Sequence, residues 1–114
     1  MKKINTLKKN YEFKNVINRG KYFIKKQIVV YIMKNNKEKN YIGIAINNKI
    51  CNAVKRNYIK RKIRESYRKI EKNLAQGYDI VFLWNKNTKP EEADFNEINK
   101  EMIEIFSSEK MISI

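Results

Sequence analysis

Residues 52–65 read NAVKRNYIKRKIRE, and this stretch decides the fold because a helical apolar period runs through a dense set of cations. From about Ala53 to Leu74, apolar residues recur every three or four positions, which predicts one amphipathic helix with a single buried stripe. The predicted stripe consists of Ile59, Ile63, Tyr67, Ile70 and Leu74. Gly77 lies just beyond it, and we expect this glycine to end the helix.

A row of polar and basic residues runs beside the apolar stripe of this helix. At 100° per residue, the row falls within an arc of roughly 100°. Its members are Asn57, Lys60, Arg61, Arg64 and Arg68. Like charges four residues apart destabilise an isolated helix, and we expect Glu65 and Glu71 to point away from the row. Phosphate groups would neutralise the row through bidentate arginine contacts, so a nucleic-acid surface is favoured over a merely solvated basic face.

The charge of the whole chain supports the same interpretation. Its 114 residues carry 26 Lys and Arg against 12 Asp and Glu, a net charge of +14. Residues 1–72 hold a net charge of +18, whereas residues 73–114 hold −4. A basic surface of this kind usually contacts a nucleic acid. An anionic membrane is a weaker candidate partner, because the basic stretch has no large apolar face that could insert.

The residue types also exclude several kinds of catalysis. The chain has no histidine, which excludes His-based acid–base catalysis, triads and metal sites. Its one cysteine, Cys51, cannot form an internal disulfide and fits a reducing cytoplasm. A metal-dependent nuclease needs clustered carboxylates, but the basic part has only four scattered glutamates. We therefore expect no catalytic and no metal-binding residue in this protein.

Four stretches are typical of strands. They cover residues 22–24, 27–33, 41–46 and 79–84. The second and third are expected to pair as an antiparallel hairpin across the polar turn 34–40, with Gly43 permitting the close approach of a neighbour. The fourth is a continuous apolar run, as expected of a strand that is covered on both faces.

Two further helices complete the predicted fold. The first covers about residues 11–18, with Asn10 as its cap and Gly20 as a left-handed stop. The last is expected to begin at a capping box from Thr88 to Glu91. Its apolar face consists of Phe95, Ile98, Met102, Ile105 and Phe106. The order α-β-β-β-α-β-α predicts an α+β fold, a small mixed sheet with helices packed on it, in one domain over residues 1–114.

Two sequence patterns together resemble a known family. The helix reads RNxxKRxxRE from Arg56 to Glu65, directly after NAV at residues 52–54. The N-terminal part has LKK at residues 7–9, followed by EFxxV at residues 12–16. Both patterns, over essentially the whole chain, resemble the bacterial ribonuclease P protein component.

The resemblance implies a fold and a function. The fold would be an α/β sandwich of the ribosomal protein S5 domain 2-like kind, with a left-handed βαβ crossover that exposes the motif helix. Residues 1–114 would form a single RNA-binding domain. The protein would be a monomer in a ribonucleoprotein endoribonuclease that removes the 5′ leader from precursor tRNA. A separate catalytic RNA would perform the hydrolysis and would hold most of the Mg²⁺.

The resemblance also implies which residues bind RNA. Those facing the catalytic RNA would be Lys49, Asn52, Lys55, Arg56, Asn57, Lys60, Arg61, Arg64 and Arg68. Phe13, Ile17 and Tyr31 would line a cleft for the single-stranded leader, with weaker stacking at Ile17, where the family commonly has an aromatic residue.

The chain departs from the family pattern in two places. Residues 47–51 read NNKIC where the family usually has Ser-Lys-Lys-x-Gly, so one lysine and the glycine are lost. Tyr58 stands where the family usually has arginine, so one cation is missing there too. Both departures bear on how strongly this part of the chain holds RNA or a metal ion.

Other function classes remain open from sequence. A structural RNA-binding protein, such as a ribosomal component, would have the same charge and aromatic residues but no effect on precursor tRNA. A DNA-binding helix is a weaker candidate, because the chain lacks a dimer signature and a helix–turn–helix spacing. An autonomous nuclease is the weakest candidate. We expect neither a DNA nor a membrane partner.

Overall fold

The computed structural model describes residues 4–112, in which three α-helices and four strands follow the predicted order. The helices are α1 (Asn10–Arg19), α2 (Ala53–Ile70) and α3 (Phe95–Ser108), and the strands are β1 (Lys21–Ile24), β2 (Ile28–Lys34), β3 (Tyr41–Ala45) and β4 (Tyr78–Trp84). Short 3₁₀ turns lie at Glu71–Asn73 and Pro90–Glu92.

The strand order differs from the predicted hairpin. Within the described residues the sheet runs β1-β2-β4-β3, with β3 parallel to β4 and the other pairs antiparallel. The antiparallel pairing of β2 with β3 was therefore wrong, because β4 lies between them. The turn 34–40 crosses the end of β4 at which the strand begins. There the Asn35 amide donates to the Gly77 carbonyl, and the Tyr78 amide donates to Asn40 Oδ1.

The two faces of the sheet are covered differently. Helices α2 and α3 pack on one face and bury most of the core, including Phe82 and Phe106. Helix α1 covers only part of the other face, where Val16 and Leu7 contact Val81. These layers confirm the α+β sandwich with a mixed sheet. The left-handed sense of the β3-α2-β4 crossover stays a prediction.

Three helix boundaries differ from the predicted ones. Helix α1 begins at Asn10 itself, and Lys9, not Asn10, is its N-cap. Helix α2 ends at Ile70 and continues as a 3₁₀ turn, although Leu74 is buried as expected. Helix α3 begins only at Phe95, because Asp94 Oδ2 accepts the Glu97 amide at 3.0 Å and serves as the cap. The expected capping hydroxyl of Thr88 instead donates to the Lys26 carbonyl, so the capping-box prediction was wrong.

Gly20 is required for a reason other than the predicted one. Its φ of −80° is not left-handed. A Cβ at this position would lie 2.5 Å from the Val16 carbonyl oxygen and 3.0 Å from that of Ile32. Glycine therefore lets the end of α1 approach β2 closely.

None of the helices within residues 4–112 combines the length and the apolar character that a membrane span needs.

Candidate nucleic-acid interface

Helix α2 presents its row of polar and basic residues to solvent. We call the row the basic stripe; it comprises Asn57, Lys60, Arg61, Arg64 and Arg68. Lys60 is half-buried and the other members are exposed, whereas Ile59 and Ile63 on the inner side are fully buried. The apolar contacts of α2 with the sheet therefore fix the direction in which the stripe faces.

Two cations of the stripe have no acidic neighbour among the described residues. Glu65 was expected to point away, but its Oε1 lies 4.0 Å from Arg61 Nε. Both side chains of this pair are at least half exposed, so the pair contributes little to stability. Among residues 4–112, no carboxylate lies within 4.0 Å of Lys60 or Arg64. The stripe therefore keeps cations that an anionic partner can reach.

Two of the expected RNA-binding residues also fix the start of α2. Asn52 Oδ1 accepts the Lys55 amide at 2.9 Å and caps the helix. Arg56 Nη1 donates to the Cys51 carbonyl at 2.7 Å and, at 3.3 Å, to a second carbonyl of the loop 47–51. Because a guanidinium has five N–H donors, these bonds leave part of Arg56 for another partner.

Three cationic side chains lie close to the ring of Tyr58. The Nζ atom of Lys55 lies 4.7 Å from the ring centroid and that of Lys62 lies 5.2 Å from it. The guanidinium carbon of Arg61 is 5.7 Å away. The ring is half-buried and packs against the core. Neither Tyr58 nor Lys62 was among the expected RNA-binding residues. Tyr58 lies three residues after Lys55 and four before Lys62, and this helical spacing was the available signal.

An open cleft lies beside α1 on the other face of the sheet. It has a volume of about 350 Å³ and is lined mainly by apolar and amide side chains. The lining includes Ile24, Val29, Tyr31, Ala45, Asn47, Ile50, Leu83 and Lys86. Tyr22 is 60% exposed, and its ring centroid lies 5.8 Å from that of Tyr31. The cleft therefore offers aromatic and apolar surface that bases could contact.

The three expected cleft residues lie close together but play different parts. Tyr31 lines the open cleft, whereas Phe13 and Ile17 pack against the small cluster under α1. Tyr22 and Ile24, which alternate on β1 and face the same side as Tyr31, were not among the expected cleft residues. Strand alternation could have placed both of them on this side.

Helix α1 is held over the sheet by close packing and by one carboxylate. A Cβ at Gly43 would lie 2.5 Å from the Phe13 ring, so glycine allows this ring to rest on the sheet, as expected. Glu12 Oε1 accepts the amides of Lys9 and Lys8 at 2.9 and 3.0 Å. These bonds hold the pKa of the Glu12 carboxyl below its ordinary value, and nearby lysine charges add to the effect.

The loop 47–51 connects the cleft to α2. Asn47 and Ile50 line the cleft, and Ile50 also packs against the core under α2. Lys49 is exposed in this loop, and its amide donates to Asn47 Oδ1 at 2.9 Å. The cleft therefore adjoins the loop that leads into the first turn of α2.

Acidic residues in the described part do not fit a magnesium site. Between residues 4 and 112, no three His, Cys, Asp or Glu side chains come together as metal ligands would. We therefore assign no step to a metal held by these residues.

Comparisons with known proteins place the chain in a family. The family model described as Ribonuclease P matches residues 1–110. The chain is 35% identical over 112 residues to the ribonuclease P protein component of Natranaerobius thermophilus, covering 98% of this chain and 96% of that protein. The fold is similar to the Staphylococcus aureus RNase P protein, with a TM-score of 0.80 at 28% identity and coverage of 97% and 100%. The Thermotoga maritima protein gives a TM-score of 0.80 at 25% identity and coverage of 91% and 96%. The chain therefore belongs to the family of bacterial ribonuclease P protein components.

Proposed function

We propose that this chain is the protein subunit of a ribonuclease P holoenzyme that removes the 5′ leader from precursor tRNA. Membership of the family implies a role in tRNA 5′ processing. The observation that carries the proposal is the basic stripe, which is exposed on α2 and is joined to an open cleft by the loop 47–51.

The basic stripe is proposed to contact the catalytic RNA. Arginine forks match phosphate oxygens in a bidentate geometry, and Lys60 adds a point charge. These cations lower the repulsion between two RNA backbones, so that substrate and catalytic RNA approach each other at lower concentrations of free Mg²⁺. Mg²⁺, held mainly by the RNA, supplies the hydrolytic chemistry. The exposed Lys49 and the free donors of Arg56 extend this surface towards the cleft.

The cleft is proposed to hold the single-stranded leader. Its lining includes one charged side chain, Lys86, so the bases provide most of the contact there. Stacking of a base on an aromatic ring is worth about 1–3 kcal/mol and tolerates any base. Tyr31 and Tyr22 supply such rings, whereas Phe13 and Ile17 pack α1 onto the neighbouring part of the sheet.

The rest of the proposal concerns assembly and location. The whole chain, residues 1–114, acts as one RNA-binding domain and as a monomer within the holoenzyme. It acts in the cytoplasm, and its partners are the catalytic RNA and precursor tRNA.

The salt dependence of RNA binding tests the proposed role of the stripe. For the double variant Arg61→Ala and Arg64→Ala, we expect the log–log slope of affinity against salt to become shallower by about 1.4–1.8, because two phosphate contacts are lost. The measurement is the dissociation constant of the complex with the catalytic RNA between about 50 and 200 mM salt.

A matched control carries the same change in net charge elsewhere. Lys89 and Lys100 are both exposed and lie in the acidic C-terminal part, so their double alanine variant should keep the wild-type slope. An equal change in both double variants, or an unchanged slope for the stripe variant, would contradict direct contact of the stripe with phosphate.

A further inference from the structure

We propose that Lys55, Tyr58 and Lys62 form a second phosphate-binding site for the catalytic RNA, on a flank of α2 away from the basic stripe. We call these three residues the Tyr58 cluster. The proposal rests on the proposed function for the identity of the RNA.

The ring of Tyr58 brings two ammonium groups together. Lys55 Nζ and Lys62 Nζ lie 4.7 and 5.2 Å from the same ring centroid. The two nitrogens are therefore no more than about 10 Å apart, a spacing that neighbouring phosphates of one strand can reach. Because the ring is half-buried against the core, it also restricts the conformations of both lysine side chains.

Nothing acidic in the described part of the chain neutralises these lysines. No carboxylate of residues 4–112 lies within 4.0 Å of Lys55 or Lys62. The first turn of α2 contains no acidic residue, so the positive end of the helix dipole is not offset there either. The cluster therefore has the electrostatic character of an anion site, and the helix dipole adds to the positive potential at Lys55, in the first turn.

The cluster and the stripe face different directions. At 100° per residue, the centre of the cluster lies about 140° around the α2 axis from the centre of the stripe. A helix with its side chains is about 10–12 Å across, so a single phosphate cannot contact the centres of both surfaces. Arg61, at the edge of the stripe, is 5.7 Å from the Tyr58 ring and pairs with Glu65, so the two surfaces meet at this residue. Helix α2 thus binds RNA on two sides.

This site explains how a tyrosine at position 58 can take the place of a cation. The family usually has arginine at this position, which supplies one fixed cation. Here the ring instead holds two lysines that are spaced three and four residues away. Tyr58 is therefore a positioning residue, and its ring, not its hydroxyl, is the group that matters.

The test uses the full chain and the RNA recovered with the tagged protein from its own cells. For the double variant Lys55→Gln and Lys62→Gln, we expect the log–log salt slope of binding to become shallower by about 1.4–1.8. Tyr58→Phe keeps the ring and should match the wild type, whereas Tyr58→Leu should weaken binding several-fold. The control is the double variant Lys89→Gln and Lys100→Gln, and a thermal unfolding curve checks that each variant is folded.

Two results would overturn the site. One is a slope for the lysine double variant that equals the slope of the control. The other is a loss for Tyr58→Phe as large as that for Tyr58→Leu, which would assign the effect to the hydroxyl. Cleavage of precursor tRNA by the wild-type complex is measured in parallel. If that activity is absent, the proposed function fails, while the slopes still decide whether the cluster binds RNA.

Discussion

Charge reversal in the basic stripe, by Arg61→Glu and Arg64→Glu, should lower leader cleavage by the reconstituted holoenzyme by about 100-fold or more at low Mg²⁺. Each hydrogen bond between charged groups contributes about 1.5–3 kcal/mol, and about 1.4 kcal/mol corresponds to a factor of ten. Loss of two such contacts therefore accounts for the expected factor before repulsion by the new carboxylates is added. Single-turnover cleavage of precursor tRNA across a Mg²⁺ titration measures it.

The Mg²⁺ dependence separates this effect from misfolding. Because added Mg²⁺ screens the repulsion between the variant and the RNA, the activity should recover substantially at high Mg²⁺. The reversal of Lys89 and Lys100 to glutamate gives the same change in net charge on another surface and should have little effect. A large loss that Mg²⁺ does not reverse, or an equal loss in this control, would contradict the role of the stripe.

Among single substitutions of polar residues, Glu101→Ala should lower the stability of the protein the most. Glu101 is only 5% exposed, and its Oε1 accepts the amides of Gln27 and Ile28 at 3.0 and 3.1 Å, where β2 begins. Alanine leaves two buried N–H groups without a partner, each at a cost of about 1–3 kcal/mol. We expect the free energy of unfolding to fall by about 2–5 kcal/mol, as measured by urea denaturation.

Two further variants of α3 serve as controls for this prediction. Glu101→Gln keeps one oxygen as an acceptor and should cost less than alanine. Glu104 is exposed, with only a 3.8 Å ion pair to Lys25, so Glu104→Ala should change stability by less than about 0.5 kcal/mol. If Glu101→Ala and Glu104→Ala have equal effects, the carboxylate of Glu101 does not hold the start of β2.

The sequence predicts the elements better than their arrangement. The spacing of Ile59, Ile63 and Tyr67 identifies both α2 and its buried side, because periodicity reports which face of an element is buried. It does not report which strands become neighbours. The hairpin prediction was wrong because β4 pairs with both β2 and β3, and this choice depends on contacts far apart in the chain.

For the candidate site, too, the sequence predicts single elements better than their arrangement. The residues of the stripe could be predicted because they share one helix. The cleft could be predicted only in part, since it joins all four strands, the loop 47–51 and residues 85–87 across the fold. Tyr22 lies beside the cleft because its strand pairs it with Tyr31. The distances of the cations from the Tyr58 ring depend on side-chain conformations that a residue pattern does not specify.

The most direct test of the central claim is a cleavage assay on the native complex. The tagged protein is purified gently from its own cells, and the eluate is assayed for removal of the 5′ leader from precursor tRNA. Half of the eluate is first treated with a nuclease that is then inactivated. We expect cleavage in the untreated half alone, because the catalyst is an RNA that travels with this chain. Cleavage that survives the treatment, or its absence from both halves with ribosomal RNA recovered instead, would contradict the account.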